Sequence, residues 1–308
     1  MKRRCALKAG GAGLLSFRAA GCLGQISGTT QSGQEPVEDG ETTDVDVIVI
    51  AGQSNAVGKG SSTESPDVEP GSAYEYKPDM DELVDLDDPV GQDNSPPEQQ
   101  ADTGSAWPAF AKEYYTRTGR PAAYVPYAVG GSAQSDKAHS DPDMLWSDSG
   151  NLDDNAQAKL DETVTWLNNN GYNPNVRGVV WCQGERDAAE IDNGDMTKPD
   201  YKTEFGAHID RWQSRFGSDF RFFICQTGHE NDGDTQGYQD VRAAQSGLAN
   251  DREYVEMVST IQKNFPEDGK LQDRWHYTQT GYNEMGSEAG KNTSSIISNS
   301  AELTSSPR

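Results

Sequence analysis

The chain has 308 residues, of which 33% are hydrophobic, and its formal net charge is −24. This length suffices for one large α/β domain with a well-buried core, or for two small domains. The charge argues against a nucleic-acid partner, because phosphate binding needs a basic surface. Acidic residues are spread along the whole chain beside a well-patterned apolar set, which argues against global disorder.

The acidic composition resembles that of proteins from extreme halophiles, and an ordinary acidic secreted protein is the alternative. Crowded carboxylates repel one another at low salt, whereas the screening length falls to about 3 Å at 1 M salt. We therefore expect folding to require molar salt, which circular dichroism over a NaCl series would measure. Equal stability at about 0.05 M and about 2 M NaCl would contradict the halophile interpretation.

The N-terminal region resembles an export signal over residues 1–22. It contains a twin-arginine-like motif, Lys2-Arg3-Arg4, and a short apolar region that is too brief for a membrane span. The end of this region resembles a lipoprotein processing box with Cys22 as the lipidated residue. Residues 23–43 are polar and predict a flexible tether. We therefore expect a domain that is exported in folded form and anchored outside the cell through Cys22.

The first predicted strand is a compact β-branched run over residues 45–51, typical of a buried central strand in a parallel sheet. The turn Gly52-Gln53-Ser54-Asn55 follows it. Catalytic groups in open α/β sheets gather at the carboxyl ends of strands, so Ser54 is a candidate nucleophile. The alternative is a polar turn with a helix N-cap, because Ser and Asn favour both.

The remaining elements alternate between helix and strand after a long polar loop over 59–104, expected beside the site. They are predicted, in chain order, as helix 105–118, strand 122–129, helix 154–167, strand 177–182, helix 200–216, strand 220–225, helix 237–249, strand 254–259 and a helix from about 279. Pro126 predicts an edge position or a bulge for its strand. The alternation predicts a single doubly wound parallel sheet flanked by helices over 44–298, with fraying from 292 and a disordered tail over 299–308.

A Ser nucleophile needs a general base, usually a His that a carboxylate orients. His208 borders the apolar stripe of its predicted helix, which favours a structural role. His139 and His229 follow strands and would reach the rim of the site. His276 stands three residues after Asp273, whose carboxylate would accept from Nδ1–H and leave Nε2 facing the nucleophile. The alternative for His276 is a solvated side chain in an exposed acidic loop.

An oxyanion hole needs hydrogen-bond donors that converge on one point. Gly130-Gly131 ends a predicted strand and lets the backbone approach a ligand closely. Gln183 follows another strand and offers a side-chain amide. The alternatives are a tight turn and a polar strand end.

Four separated blocks, taken together and in order, resemble those of the SGNH hydrolases. They are Gly52-Gln53-Ser54-Asn55, Gly130-Gly131-Ser132, Trp181-Cys182-Gln183-Gly184-Glu185 and Asp273-x-x-His276-x-Thr278. The branch they most resemble is the sialate O-acetylesterase-like group, which includes carbohydrate acetylesterase family six. The resemblance covers about residues 45–290. It implies a flavodoxin-like SGNH fold and a serine esterase that removes acetyl groups from acetylated xylan or sialic-acid-like sugars, without a cofactor or metal.

The resemblance also implies a role for each matched residue. Ser54 would be the nucleophile, His276 the base and Asp273 its orienting carboxylate. The oxyanion hole would be formed by the N–H groups of Ser54 and Gly131 and the side chain of Gln183. The supporting residues would be Gln53, Asn55, Gly130 and Glu185. The chain departs from the usual pattern at Ala56, where Met is usual, and at Arg186, where a small residue is usual.

Sugar rings stack on aromatic faces, and three aromatic residues stand near the predicted site in sequence: Trp146, Trp275 and Tyr127. Core packing is the alternative for each. Two other functions remain open: a lipid-anchored, catalytically inactive sugar-binding protein, and an esterase of simple acyl esters. The intact nucleophile, base and carboxylate argue against the first, and the scarcity of long aliphatic runs argues against the second.

Cys182 and Cys225 end two predicted strands, and buried thiols are expected there rather than a disulfide. The acidic loop 229–234 lacks regular ligand spacing, so it is expected to be solvated rather than a cation site.

Overall fold

The computed structural model describes residues 42–305. Within these residues the strands are β1 (Thr43–Gly52), β2 (Ala73–Lys77), β3 (Glu82–Asp85), β4 (Ala122–Ala128), β5 (Tyr172–Cys182), β6 (Arg221–Cys225) and β7 (Val255–Ser259). The α-helices are α1 (Ser54–Val57), α2 (Trp107–Thr118), α3 (Leu152–Asn169), α4 (Glu185–Asn193), α5 (Lys198–Phe216), α6 (Gln236–Asp251) and α7 (Gln279–Ser305).

The strands form one sheet in the order β3-β2-β4-β1-β5-β6-β7. All neighbouring pairs are parallel except the β2–β3 hairpin at one edge. The predicted α/β fold with a doubly wound sheet is therefore confirmed. The chain passes from β1 to β4 on one side and later returns to β5 on the other, so the strand order reverses at β1. Ligands bind at such switch points, beyond the carboxyl ends of the strands.

Both faces of β1 are buried, which explains its nearly continuous apolar sequence. Val47 and Val49 join a core shared with α3, α5 and α6, whereas Ile48 and Ile50 join a core shared with α2 and α7. Each of these four side chains is at most 1% exposed. Helices thus cover both faces of the sheet and leave its strand ends for a site.

Asp46 is the charged interruption in β1, and it is fully buried. Its carboxylate accepts from the Tyr114 hydroxyl at 2.6 Å, Arg120 Nη2 at 2.7 Å and Arg177 Nε at 2.6 Å. A buried carboxylate is tolerated when charged donors saturate it. This network lies near the amino end of β1, at the opposite end from Ser54.

The hairpin β2–β3 lies within the long segment 59–104 that was predicted to be a loop. Only three residues of β2 pair with β4, and β3 pairs with β2 alone. Such short edge strands carry little hydrophobic pattern, so the sequence does not reveal them.

Pro126 lies in β4, which is an interior strand of the sheet by order. The pairing of β2 with β4 ends at Tyr124, so no strand faces Pro126 on that side. Its carbonyl oxygen instead accepts from Asn94 Nδ2 at 3.3 Å and Lys159 Nζ at 2.9 Å. The expected edge position therefore exists locally, although the strand as a whole is interior.

The C-terminal helix is longer than predicted, because α7 continues to Ser305, and the prediction of fraying from 292 is wrong. Its small residues serve close packing against α2. A Cβ added at Gly286 or Gly290 would lie 2.1 Å or 2.4 Å from the carbonyl oxygen of Ala106 or Phe110. These two glycines thus serve a tight contact with the start of α2.

The predicted export signal over 1–22 lies outside the described residues, as does nearly all of the predicted tether over 23–43. Across residues 42–305, no helix combines the length and the apolar character needed to cross a bilayer. Cys182 and Cys225 are buried free thiols.

Candidate active site

Ser54 lies directly beyond β1, as the first residue of the short helix α1. The turn before it is held against the end of β5, because the Gln53 N–H donates to the Cys182 carbonyl oxygen at 2.9 Å. Gly52 has a φ of +136°, and a Cβ there would lie 2.0 Å from the same oxygen. The close approach of β1 and β5 thus requires glycine and sets where the serine emerges.

A series of hydrogen bonds joins Ser54 to His276 and Asp273. His276 Nε2 lies 2.9 Å from Ser54 Oγ, and His276 Nδ1 lies 2.7 Å from Asp273 Oδ2. Asp273 Oδ1 also accepts from the backbone N–H groups of Trp275 at 2.8 Å and His276 at 2.7 Å. This is the geometry of a nucleophile, a general base and its orienting carboxylate.

The pKa of Asp273 is lowered. Partial burial opposes its ionisation, but the hydrogen bonds from the His276 ring and from two backbone N–H groups outweigh that cost. The carboxylate is therefore ionised at neutral pH and available to accept the imidazole Nδ1–H.

The other histidines lie away from this series, and none of them lines the cleft beside Ser54. His208 is buried among aromatic rings, with its Nδ1 3.2 Å from Gln134 Oε1. His139 Nδ1 accepts from the Asp141 N–H, and His229 Nδ1 lies 2.9 Å from the Glu230 carbonyl oxygen.

Two backbone N–H groups, those of Ser54 and Gly131, are available as oxyanion donors. The hydrogen bonds of residues 42–305 include no acceptor for either group. Both residues line the cleft, and Gly131 adopts a φ of +75° after the end of β4. The preceding turn residue is fixed, because the Gly130 N–H donates to Gln99 Oε1 at 2.7 Å.

The Gln183 side-chain nitrogen already has acceptors within the protein, whereas its Oε1 is buried without a hydrogen-bond partner among residues 42–305. Its Nε2 donates to Asp187 Oδ2 and, at 3.2 Å, to the Ser132 carbonyl oxygen, and the residue is 1% exposed. Burial raises the pKa of Asp187 to about 6, although the Gln183 amide and the N–H groups of Gln134 and Ser135 oppose this shift. To donate to an oxyanion, Gln183 Nε2 would therefore have to give up its hydrogen bond to Asp187 or to the Ser132 carbonyl oxygen.

The three remaining supporting residues connect the Ser54 turn to α4. Gln53 Oε1 accepts from the N–H groups of Gly184 at 3.3 Å and Arg186 at 3.4 Å. Asn55 Nδ2 donates to Glu185 Oε1 at 2.6 Å. Burial raises the pKa of Glu185, and the hydrogen bond from Asn55 opposes that shift.

A cleft of about 450 Å³ opens beside Ser54 and His276. Its lining residues come from the turns after β1 and β4, from the long segment 59–104, from α4 and from the loop before α7: Gln53, Ser54, Lys59, Gln99, Gly130, Gly131, Glu185, Arg186, Ala189, Trp275 and His276. The segment 59–104 lies beside the site as expected, through Lys59 and Gln99. Sequence reasoning missed these two residues because neither belongs to a recognisable motif.

The three predicted sugar-stacking aromatics differ in position. Trp275 lines the cleft and is 45% exposed. Trp146 and Tyr127 are at most 1% exposed, and the Trp146 ring packs 4.9 Å from that of Trp181. The substrate-binding prediction is therefore wrong for Trp146 and Tyr127, because the core of the sheet encloses both rings.

Comparisons with solved structures show the fold. A protein from Arabidopsis thaliana is 18% identical with a TM-score of 0.64, over 81% of this chain and 98% of that one. NanS is 14% identical with a TM-score of 0.56, over 85% and 99% of the two chains. A carbohydrate acetylesterase from Xanthomonas citri is 19% identical with a TM-score of 0.52, over 82% and 57%.

A comparison with curated protein sequences gives no match. A family model does match, and it covers residues 44–295, which include all four sequence blocks and the cleft. The chain therefore belongs to the family of carbohydrate esterases described as sialic acid-specific acetylesterases, and it is a carboxylic ester hydrolase.

Proposed function

We propose that this protein removes O-acetyl groups from a sugar through an acyl-enzyme formed on Ser54. The observation that carries the proposal is the hydrogen-bonded series from Asp273 through His276 to Ser54, which lies at a cleft of about 450 Å³. An ester whose acetyl group enters this cleft meets a nucleophile, a base and two unpaired N–H donors.

The reaction follows from these positions. His276 Nε2 takes the Ser54 proton as Oγ attacks the acetyl carbon, and the N–H groups of Ser54 and Gly131 stabilise the oxyanion. His276 then gives the proton to the departing sugar oxygen. Water, deprotonated by His276, attacks the acetyl-serine, and acetate leaves as Ser54 regains its proton.

Among acetylated sugars, the charges of the cleft favour an acidic one over neutral xylan. In the described part of the chain, two cations, Lys59 and Arg186, line the cleft against one carboxylate, that of Glu185, although the chain carries a net charge of −24. Lys59 Nζ lies 4.0 Å from the exposed carboxylate of Asp102, and Arg186 Nη2 lies 2.9 Å from Glu190. A sugar carboxylate, as in sialic-acid-like sugars, would be attracted to these two cations.

Acetate release from three esters tests this proposal: O-acetylated sialic acid, acetylated xylan and a chromogenic acetate, each with wild type beside Ser54→Ala. We expect release from all three above the Ser54→Ala baseline, and the highest kcat/KM on the acidic sugar. Arg186→Ala should lower kcat/KM for the acidic sugar by about tenfold and leave the chromogenic acetate nearly unchanged. A preference for xylan would overturn the acidic substrate, and rates equal to Ser54→Ala would favour a binding protein.

The length of the acyl chain gives a further prediction. We place the acyl group between the turns of Ser54 and Gly131, which both line the cleft. Acetyl esters should then exceed butyryl esters by at least about tenfold in kcat/KM, since each misfitting methylene costs about 1–3 kcal/mol. Equal rates on acetate and octanoate esters would instead favour an esterase of simple acyl esters.

Trp275→Ala should lower kcat/KM for sugar esters more than for a chromogenic acetate, because only the sugar stacks on the exposed ring.

The orienting role of Asp273 gives a prediction with a defined pH dependence. Asp273→Asn should lower kcat about a hundredfold or more, because an amide cannot accept from Nδ1–H and both backbone N–H groups at once.

In the wild type the lowered pKa of Asp273 stabilises the fold at neutral pH, and this contribution is lost as the pH falls through that pKa. Denaturation of wild type and Asp273→Asn at several pH values measures it, and equal acid sensitivity would contradict it.

The N-terminal motifs support export and lipid anchoring outside the cell. Metabolic labelling with a radioactive fatty acid should mark the wild type and not Cys22→Ala, and the variant should leave the membrane fraction. Unlabelled wild type in the soluble fraction would contradict the anchor.

A further inference from the structure

One buried side-chain amide connects the turn that carries the nucleophile with the loop that carries the base. Asn55 follows Ser54 in the chain, and Trp275 precedes His276. Asn55 Nδ2 donates to the Trp275 carbonyl oxygen at 3.2 Å and to Glu185 Oε1 at 2.6 Å. A single side chain thus joins the residue after the nucleophile to the residue before the base.

The orientation of the Asn55 amide is held from both ends. The Tyr282 hydroxyl donates to Asn55 Oδ1 at 2.8 Å, while Glu185 accepts from the nitrogen. Asn55 is 2% exposed and Tyr282 is fully buried. Glu185 begins α4 and Tyr282 lies in α7, so two helices on separate sides of the turn support the amide. One donor and one acceptor select a single orientation of the amide group.

The other hydrogen bonds that residues 273–275 make to neighbouring segments are more exposed. The Asn231 N–H donates to the Arg274 carbonyl oxygen at 3.1 Å, and Asn231 Nδ2 donates to that of Asp273 at 3.2 Å. Arg274 pairs with Glu230 at 2.7 Å. Exposed ion pairs contribute little to stability, so among the hydrogen bonds that residues 273–275 make to other segments the Asn55 contact is the most buried. On the other side of His276, Tyr277 packs against the rings of Phe265 and Tyr282.

We infer that Asn55, held by Glu185 and Tyr282, is a positioning residue that sets the 2.9 Å contact between Ser54 Oγ and His276 Nε2. Asn55 does not touch the reacting atoms in this arrangement. A misplacement of about 1 Å can cost about a hundredfold in rate, so its loss affects turnover more than substrate binding. The inference rests on the proposed esterase function.

The first test replaces the amide donor. Asn55→Asp puts an oxygen opposite Glu185 and the Trp275 carbonyl, so kcat on a chromogenic acetate should fall about a hundredfold while KM changes less than about threefold. Glu185→Gln keeps an acceptor for Asn55 and should recover most of the activity that Glu185→Ala loses. The matched control is Asn173→Asp, which removes an exposed donation to Asp44 at the far end of the sheet and should keep wild-type kcat.

The second test separates the two contacts of the amide. Asn55→Asp combined with Glu185→Gln exchanges donor and acceptor between these positions but leaves the Trp275 carbonyl without a donor. This double variant should be more thermally stable than Asn55→Asp alone, but its kcat should stay low. Tyr282→Phe, which removes one hydroxyl, is the milder variant and should lower kcat about tenfold with little change in KM.

Two outcomes would overturn the inference: wild-type kcat in Asn55→Asp, or recovery of kcat in the exchanged pair. The comparison with Ser54→Ala separates the two proposals. Wild-type turnover no higher than that baseline overturns the esterase function and this inference together. Clear wild-type turnover with an unaffected Asn55→Asp variant overturns this inference alone.

Discussion

Alanine in place of Ser54 or of His276 is expected to lower kcat at least about a thousandfold while the fold persists. The 2.9 Å contact between Ser54 Oγ and His276 Nε2 makes nucleophile and base one unit, so either loss removes attack on the ester. Neither side chain fills the core, because Ser54 is half-buried and the His276 side chain is 21% exposed. Initial rates on a chromogenic acetate, with circular dichroism of each variant, measure the effect.

His139→Ala is the matched control, because His139 lies outside the cleft and should be dispensable for turnover. The double variant of Ser54 and His276 should be about as inactive as either single variant, since the two act together. Near-wild-type turnover in His276→Ala would move the role of base to another histidine. A loss in His139→Ala as large as in His276→Ala would point to damage of the fold.

Gly52→Ala is expected to abolish activity and to lower the free energy of unfolding by about 3 kcal/mol or more. The new methyl carbon would lie 2.0 Å from the Cys182 carbonyl oxygen, and the φ of +136° is strained for alanine. Relief of this clash has to separate β1 from β5 just where Gln53 and Ser54 emerge. Urea denaturation at constant high salt, together with esterase rate, measures both effects.

Gly119→Ala is the matched control for that prediction. Gly119 also has a positive φ, +62°, but a Cβ there would meet no atom within 4 Å. Gly119→Ala should therefore lower the free energy of unfolding by only about 1–2 kcal/mol, because alanine is strained in a left-handed backbone conformation even without a clash. Activity should persist. Equal stability losses at the two positions would show that the close approach of β1 and β5 does not matter.

Local sequence determined the parts of the fold whose physical cause is local. The β-branched run before Ser54 forms a strand that is buried on both faces, so its apolar character needs no knowledge of its neighbours. Asp273 and His276 are three residues apart, and the predicted contact between the carboxylate and Nδ1 is a short-range one. The order of four blocks also identifies the family, since each block ends a strand or lies in the last loop.

Only the tertiary structure decided which side chains reach the cleft and how the blocks meet. Trp146 and Trp275 look alike in sequence, yet packing against Trp181 buries the first, and the second stays at the surface. Lys59 joins the cleft through a segment with no motif. Ser54 and His276 are 222 positions apart, and the strand order places their loops at the same end of the sheet. Strand order and burial depend on contacts between distant segments, which residue patterns along the chain do not encode.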